Sequence, residues 1–222
     1  MDKKEVYESI KYRIITQELK PEQVLSEKEL ISHYGIGRTP LRDILIDLQW
    51  DGLINVLPRY GTFVTPLTLE NLRNILEVRI CLEELTADVL CDRITLNQLR
   101  ILENLLQCSE ETLKQYSDPA CLISEKEVEK LLFLESDFHN SMYAATHNSY
   151  LIEALRKLQI NSMRFWNYLG YDKRRVIREF DELREIFEAL KNKNKKLCRK
   201  LLRAHVSSFV DLDSILKFKI GS

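Results

Sequence analysis

The stretch GIGRTPLRDILIDL, from Gly35 to Leu48, decides the fold. Its second half repeats at helical spacing, with Leu41, Ile44, Leu45 and Leu48 on one face. Its first half places Arg38, Thr39 and Arg42 around the start of that helix. Helix starts favour acidic side chains, because the positive end of the macrodipole lies there. Two arginines at such an end are mildly unfavourable unless the end points at something negative.

The neighbouring segments say what that is. Residues 3–19 read as a first helix, with Val6, Ile10, Ile14 and Leu19 as its buried stripe and Pro21 beyond it. Ser26-Glu27-Lys28-Glu29 has the S-x-x-E form of a capping box and opens a second helix to about Tyr34. Gly35 and Gly37 flank a tight turn, and the third helix runs from about Thr39 to Asp51, where Gly52 stops it. Leu53–Leu57 and Gly61–Thr65 are short strand-like runs around Pro58-Arg59-Tyr60, a small hairpin. This is the order of a winged helix-turn-helix, whose second helix of the pair enters the major groove by its N-terminal end. Arginine is the best bidentate partner for guanine and for phosphate. The competing reading is a surface helix whose arginines pair with Asp43 and Asp47.

The chain changes character near Thr65-Pro66. Four of its five prolines fall at or before residue 66, and beyond it long helical patterns span roughly 68–93, 95–117, 124–147, 149–170, 172–192 and 194–219. The expected fold is therefore mainly α: a winged helix-turn-helix with a hairpin wing over 1–66, then an all-α antiparallel bundle over 67–222. The net charge is −1, and residues 1–66 hold 9 Lys/Arg against 10 Asp/Glu, so phosphate binding must come from local placement of arginines rather than a global field. No apolar run is long enough for a bilayer and the N-terminus lacks a signal-peptide core, so the expected location is the cytoplasm, away from membranes. Five cysteines (81, 91, 108, 121, 198) without a CxxC pair suit reduced thiols.

Helical-wheel positions in the bundle put several polar groups inside apolar arcs. Arg79 falls among Leu72, Ile75, Leu76, Leu82 and Leu90. Glu135 and His139 fall among Leu131, Leu132, Phe138 and Met142, with Asp137 opposite. His205 falls among Cys198, Leu201, Leu202, Phe209, Leu212 and Leu216. Unpaired burial of such groups costs several kcal/mol, so they meet each other, a metal, water or a ligand. Glu135 and His139 at i, i+4 suit two ligands to one divalent ion, and Arg79 suits a clamp for a carboxylate or phosphate. The plainer reading is a self-satisfied network in which Arg79 pairs with Glu135 or Glu83.

These residues carry a resemblance. LSE-x-EL, the G-x-x-RTP-x-R turn and helix start, L-x-x-DGLI and the GTFV wing resemble the DNA-binding domain of GntR-family bacterial transcription regulators. VRICLEELTADVL, DFHNSMYAATHNSYL and IFEALKNKNKKLCRKLLRAHV resemble the helical ligand-sensing domain of that family's fatty-acid-regulator-like branch. The resemblance implies a homodimer on a near-palindromic DNA operator, controlled by a small, carboxylate-bearing effector. It implies major-groove contacts for Arg38, Thr39 and Arg42, a phosphate or base contact for Lys28, and a wing tip of Arg59, Tyr60 and Gly61. The four inward polar groups, Arg79, Glu135, His139 and His205, are the expected effector pocket. Many members of the branch hold a divalent metal, zinc or nickel, with an Asp and three His. Here Glu135 stands at the Asp position and Leu183 where a His is expected. That leaves two alternatives: a three-ligand site of Glu135, His139 and His205, or a metal-free pocket.

Catalysis is not expected. There is no H-E-x-x-H and no nucleophile-elbow glycine pattern, and the spacing from Glu135 to His139 is not the E-x-x-H of di-iron bundles. The alternative to a ligand-responsive regulator is a constitutive DNA-binding protein with a structural, ligand-free helical domain. The basic run KNKNKKLCRK, residues 191–200, reads as a solvated helix face rather than a second DNA site.

Overall fold

The computed structural model describes residues 1–114, 124–169 and 173–207 of the chain. The chain forms two compact units. The first holds Met1–Ile75 together with the stretch that begins at Lys157, and the second holds Leu76–Arg156 and the helices after residue 172.

The first unit begins with α1 (Lys3–Ile15). Asp2 accepts from the Glu5 backbone N–H and Glu5 returns the bond, a complete capping box. The helix is shorter than its apolar stripe suggests. Thr16 turns its hydroxyl back onto the Tyr12 carbonyl, and Gln17 takes a left-handed φ of 65°. Leu19 still reaches the core, but from the turn rather than from the helix.

Strand β1 (Val24–Leu25) follows, then α2 (Glu27–Tyr34). Ser26 caps α2 through the Glu29 N–H, and Gly35 ends it in the left-handed conformation with φ 64°. Helix α3 spans Arg38–Trp50. Strands β2 (Ile54–Leu57) and β3 (Gly61–Val64) are antiparallel, with Ile54 opposite Val64 and Leu57 opposite Gly61. The wing is more than the expected hairpin: β1 pairs with β3 on its other edge, giving the order β1-β3-β2. Two residues are too few to show a period, so β1 left no mark in the sequence pattern.

The core of this unit joins Val6, Ile10 and Ile14 of α1 to Leu41, Ile44 and Leu48 of α3 and to Leu53, Ile54 and Val64. Each fully buried aliphatic side chain contributes about 1.5–3 kcal/mol. Together they fix α3 on the unit by its apolar face and leave its other face outward.

The second unit is helical. It takes most of α4 (Leu69–Arg93), α5 (Leu96–Lys114), α6 (Glu125–Ala144), the first half of α7 (Ser149–Leu169), α8 (Lys173–Lys191) and α9 (Lys195–Ser207). Leu90, Leu102, Leu106, Leu131, Phe138, Leu155, Ile186, Phe187 and Leu202 are among its buried core. The expected breaks at Asp118-Pro119 and Gly170–Asp172 lie outside the described residues, as do Cys121 and the positions of Phe209, Leu212 and Leu216 on the last helix. The other four cysteines are free thiols. Among the described residues, no helix is long and apolar enough to cross a membrane.

The basic run has a partner inside the unit. Lys195 reaches Asp92 at 2.7 Å, Arg199 pairs with Asp88, and Arg203 pairs with Glu84. One cation per turn of α9 meets one carboxylate per turn of α4.

Candidate functional site

Two sites emerge, one in each unit. The first is the N-terminal end of α3. Gly37 is its N-cap and offers no side-chain cap, so the first-turn N–H groups face outward, an arrangement suited to phosphate. Arg38, Thr39 and Arg42 are exposed there, Lys28 is exposed on α2, and Arg59, Tyr60 and Gly61 form the exposed tip between β2 and β3. Arg59 and Gly61 both hold positive φ, 69° and 113°, which makes the tip sharp.

The partners of Asp43 and Asp47 decide between the two readings of the arginines. Both carboxylates face Lys3 of α1, at 3.7 and 3.4 Å. Arg38 and Arg42 make no ion pair or side-chain hydrogen bond among the described residues. The acids of α3 are neutralised from behind, and its arginines stay available in front.

The second site is buried. His139 of α6 and His205 of α9 stack at 5.2 Å between ring centroids, with Nε2 atoms 3.2 Å apart. Glu135 Oε1 lies 3.2 Å from the same His139 nitrogen. One ligand atom from each of the three residues lies within 4.8 Å of the others. Both histidines are almost fully buried, and Glu135 is half-buried.

The far sides of both rings are occupied. His205 Nδ1 is 2.8 Å from Glu182 Oε2. His139 Nδ1 is 3.4 Å from the Tyr143 hydroxyl, which itself donates to Glu83 Oε1 at 2.5 Å. The tautomers decide the chemistry: with hydrogen on each Nδ1 both Nε2 atoms are bare, whereas with hydrogen on His139 Nε2 that ring donates to Glu135. In the first tautomer two nitrogen lone pairs and a carboxylate oxygen converge with no proton among them. That donor set fits a divalent cation, and the second partner on each ring is the usual support for a metal-binding histidine. Ligand atoms about 2.0–2.2 Å from one ion stand roughly 3–3.5 Å apart, and His139 Nε2 stands 3.2 Å from both His205 Nε2 and Glu135 Oε1.

Electrostatics agree. Burial first, then Arg79 and His205, hold His139 below its ordinary pKa and therefore neutral, although Glu135 pulls the other way. Burial alone would raise the Glu135 carboxyl, but His139, Arg79 and His205 together bring it below its ordinary value. Leu183 is buried in the hydrophobic core of the unit.

Arg79 is engaged rather than open. Its Nε meets Glu83 at 3.4 Å and its NH2 donates to Tyr143 at 3.4 Å, and all three residues are buried. Glu83 Oε2 has no hydrogen-bond partner. Behind the centre lies Glu179, 3.3 Å from Arg175, whose carboxyl burial and the nearby Glu135 raise to about 8.

Residues 74–208 match the FCD domain, and residues 2–64 match the bacterial regulatory proteins of the gntR family. The chain belongs to the GntR family. This GntR-family chain is 28% identical over 201 residues to the HTH-type transcriptional regulator YdhC of Bacillus subtilis, covering 90% of itself and 85% of that protein. It is 23% identical over 197 residues to the Nta operon transcriptional regulator of Aminobacter aminovorans, covering 89% and 87%. In fold it is similar to E. coli McbR/YncC, with a TM-score of 0.79 at 20% identity over 98% of both chains. A GntR transcriptional regulator from Rhodococcus sp. RHA1 gives 0.72 at 19%, over 96% and 97%. The protein is thus a DNA-binding transcription regulator with an FCD effector-binding domain, and not an enzyme.

Three residues of the buried centre were not singled out in the sequence. Tyr143 was within reach of pattern reading, because Glu135, His139 and Tyr143 recur at i, i+4, i+8. Glu182 and Glu179 act on other helices, so no spacing announces them.

Proposed function

We propose that this regulator binds a near-palindromic operator as a homodimer, and that a small carboxylate-bearing ligand in its FCD domain sets its affinity for DNA. In this reading residues 1–66 are the DNA-binding domain and 67–222 the sensing and dimerising domain of the fatty-acid-regulator-like branch, working in the cytoplasm. Arg38, Thr39 and Arg42 read the major groove, Lys28 contacts phosphate or base, and Arg59, Tyr60 and Gly61 approach the minor groove. Val78 and Leu85, two turns apart and exposed on α4, support a face for a second copy.

The convergence of one ligand atom each from His139, His205 and Glu135 carries the sensing part of the proposal. These three residues would hold a zinc or nickel ion, which supplies open coordination positions and positive charge. Two neutral histidines and one carboxylate leave a divalent ion with a net positive charge, which favours an anionic donor group on the effector. Arg79 adds a buried cation nearby. A ligand regulates only if it binds two states of the protein unequally.

The constitutive reading has one observation in its favour: Arg79, Glu83 and Tyr143 satisfy much of one another. Elemental analysis of the untagged protein separates the two. Near-stoichiometric metal that vanishes in His139→Ala supports the sensing site. Absence of metal, with no organic acid raising the melting temperature, leaves the structural reading.

A further inference from the structure

One face of the second half of α7 packs within the DNA-reading unit, at Lys157, Ile160, Asn161 and Arg164, which recur at i, i+3, i+4, i+7. Asn161 donates from Nδ2 to the carbonyl of Asp51, the C-cap of α3, at 2.8 Å. The same nitrogen donates to Lys157 O at 2.9 Å, which holds the amide in place. Lys157 lies over the ring of Trp50, the last residue of α3, at 5.2 Å. Ile160 packs on the core formed by α1, α3 and the sheet.

Arg164 holds the other end of the wing. Its NH2 donates to the carbonyl of Thr65, the residue after β3, at 2.6 Å. It is 1% exposed, and no carboxylate pairs with it among the described residues. A buried guanidinium without a counter-charge is costly. A residue placed there at that cost serves the carbonyl it binds.

We propose that Asn161 and Arg164 are positioning residues for DNA reading: they fix the C-terminal end of the recognition helix and the exit of the wing. The inference rests on α3 being the recognition helix. The functional DNA-binding unit then does not end near residue 66 but includes the second half of α7. Helix α7 is unbroken, and its first half carries Leu151 and Leu155 into the core of the helical unit.

The test uses the full chain and a duplex that the wild type selects from a random-sequence pool. Asn161→Ala should bind that duplex about tenfold more weakly, the usual worth of one structural hydrogen bond. Its salt slope should be unchanged, since no phosphate contact is lost, and the amides of Leu48–Gly52 should exchange faster. Zinc binding at the buried centre should not change. Wild-type affinity with wild-type exchange would overturn the proposal. So would a lowered melting temperature with undiminished affinity in the cold, which is mere packing. A salt slope reduced by about one would mean that α7 touches DNA itself, and would overturn the positioning role. Arg164→Leu gives the same readings at the wing; if it does not fold, Asn161→Ala decides. A wild type that selects no duplex strikes the recognition-helix reading instead.

Discussion

His139 and His205 present their Nε2 atoms to each other at 3.2 Å, while each Nδ1 meets an oxygen of a separate residue. With hydrogen on each Nδ1, the arrangement sets two lone pairs beside a carboxylate oxygen, a donor set for a cation. Leu183 is the one position where the resemblance expects a further nitrogen ligand. Leu183→His should therefore split in sign. Without metal the variant should unfold more easily by about 2–4 kcal/mol, because a core side chain is lost and a polar one buried. With zinc the deficit should reverse, and competition against a chelator should show affinity raised roughly tenfold or more. A variant that stays destabilised at saturating zinc would show that position 183 does not face the centre.

Glu179 supplies a pH dependence. Its carboxyl is raised to about 8, first by burial and then by Glu135 and Glu182, against the help of Arg175. Between its ordinary value of 4.5 and about 8 the folded chain holds a proton that the unfolded chain releases. Stability from this group is thus present at low pH and is lost as pH rises through that window. Glu179→Gln removes the titration and keeps the hydrogen-bonding shape. Its unfolding free energy should exceed that of the wild type increasingly from pH 5 to pH 8, by up to about 4 kcal/mol at the upper end. Parallel curves for the two proteins in denaturant melts would show that Glu179 does not titrate in this window.

The DNA-reading half was legible because its signals are local. Gly35, the RTP turn, Gly52 and the GTFV run each prescribe a backbone conformation within a few residues. The inward positions of Arg79, His139 and His205 were legible because a helix repeats every 3.6 residues. What escaped is what depends on pairing between distant segments. Strand β1 exists only because β3 offers it an edge. Glu182 matters only because α8 lies beside His205, and Asn161 only because α7 meets the end of α3. The length of α1 was overread for a related reason: Leu19 keeps the apolar period while Thr16 and Gln17 have already left the helix.

Arg79 has the wheel position of an effector clamp, and its surroundings set a more exact expectation. Its guanidinium offsets Glu83, which is fully buried and has one oxygen without a hydrogen-bond partner. Removing the cation leaves an uncompensated buried carboxylate. Arg79→Ala should cost about 3–5 kcal/mol of stability. Arg79→Lys keeps the charge but not the fork geometry. It should fold, bind operator normally and respond weakly to any effector found by thermal-shift screening. If Arg79→Lys responds as the wild type does, the residue is structural and the effector lies elsewhere.

The chain carries two arginine-rich surfaces, and their partners predict opposite outcomes. Arg38 and Arg42 on α3 have no acidic partner among the described residues, since Lys3 takes Asp43 and Asp47. Arg38→Ala should weaken binding to the selected operator by about 1–3 kcal/mol and relax sequence preference at one base position per half-site. Lys195, Arg199 and Arg203 each already face a carboxylate of α4. Exposed pairs of this kind contribute little to stability and are screened by salt. Replacing all three by alanine should lower the melting temperature slightly at low salt and leave operator affinity and its salt slope unchanged. A slope that falls by about one for each cation removed would place α9 on the phosphate backbone. An unchanged preference in Arg38→Ala across mutated operators would remove that residue from base reading and leave Arg42 and Thr39 to carry it.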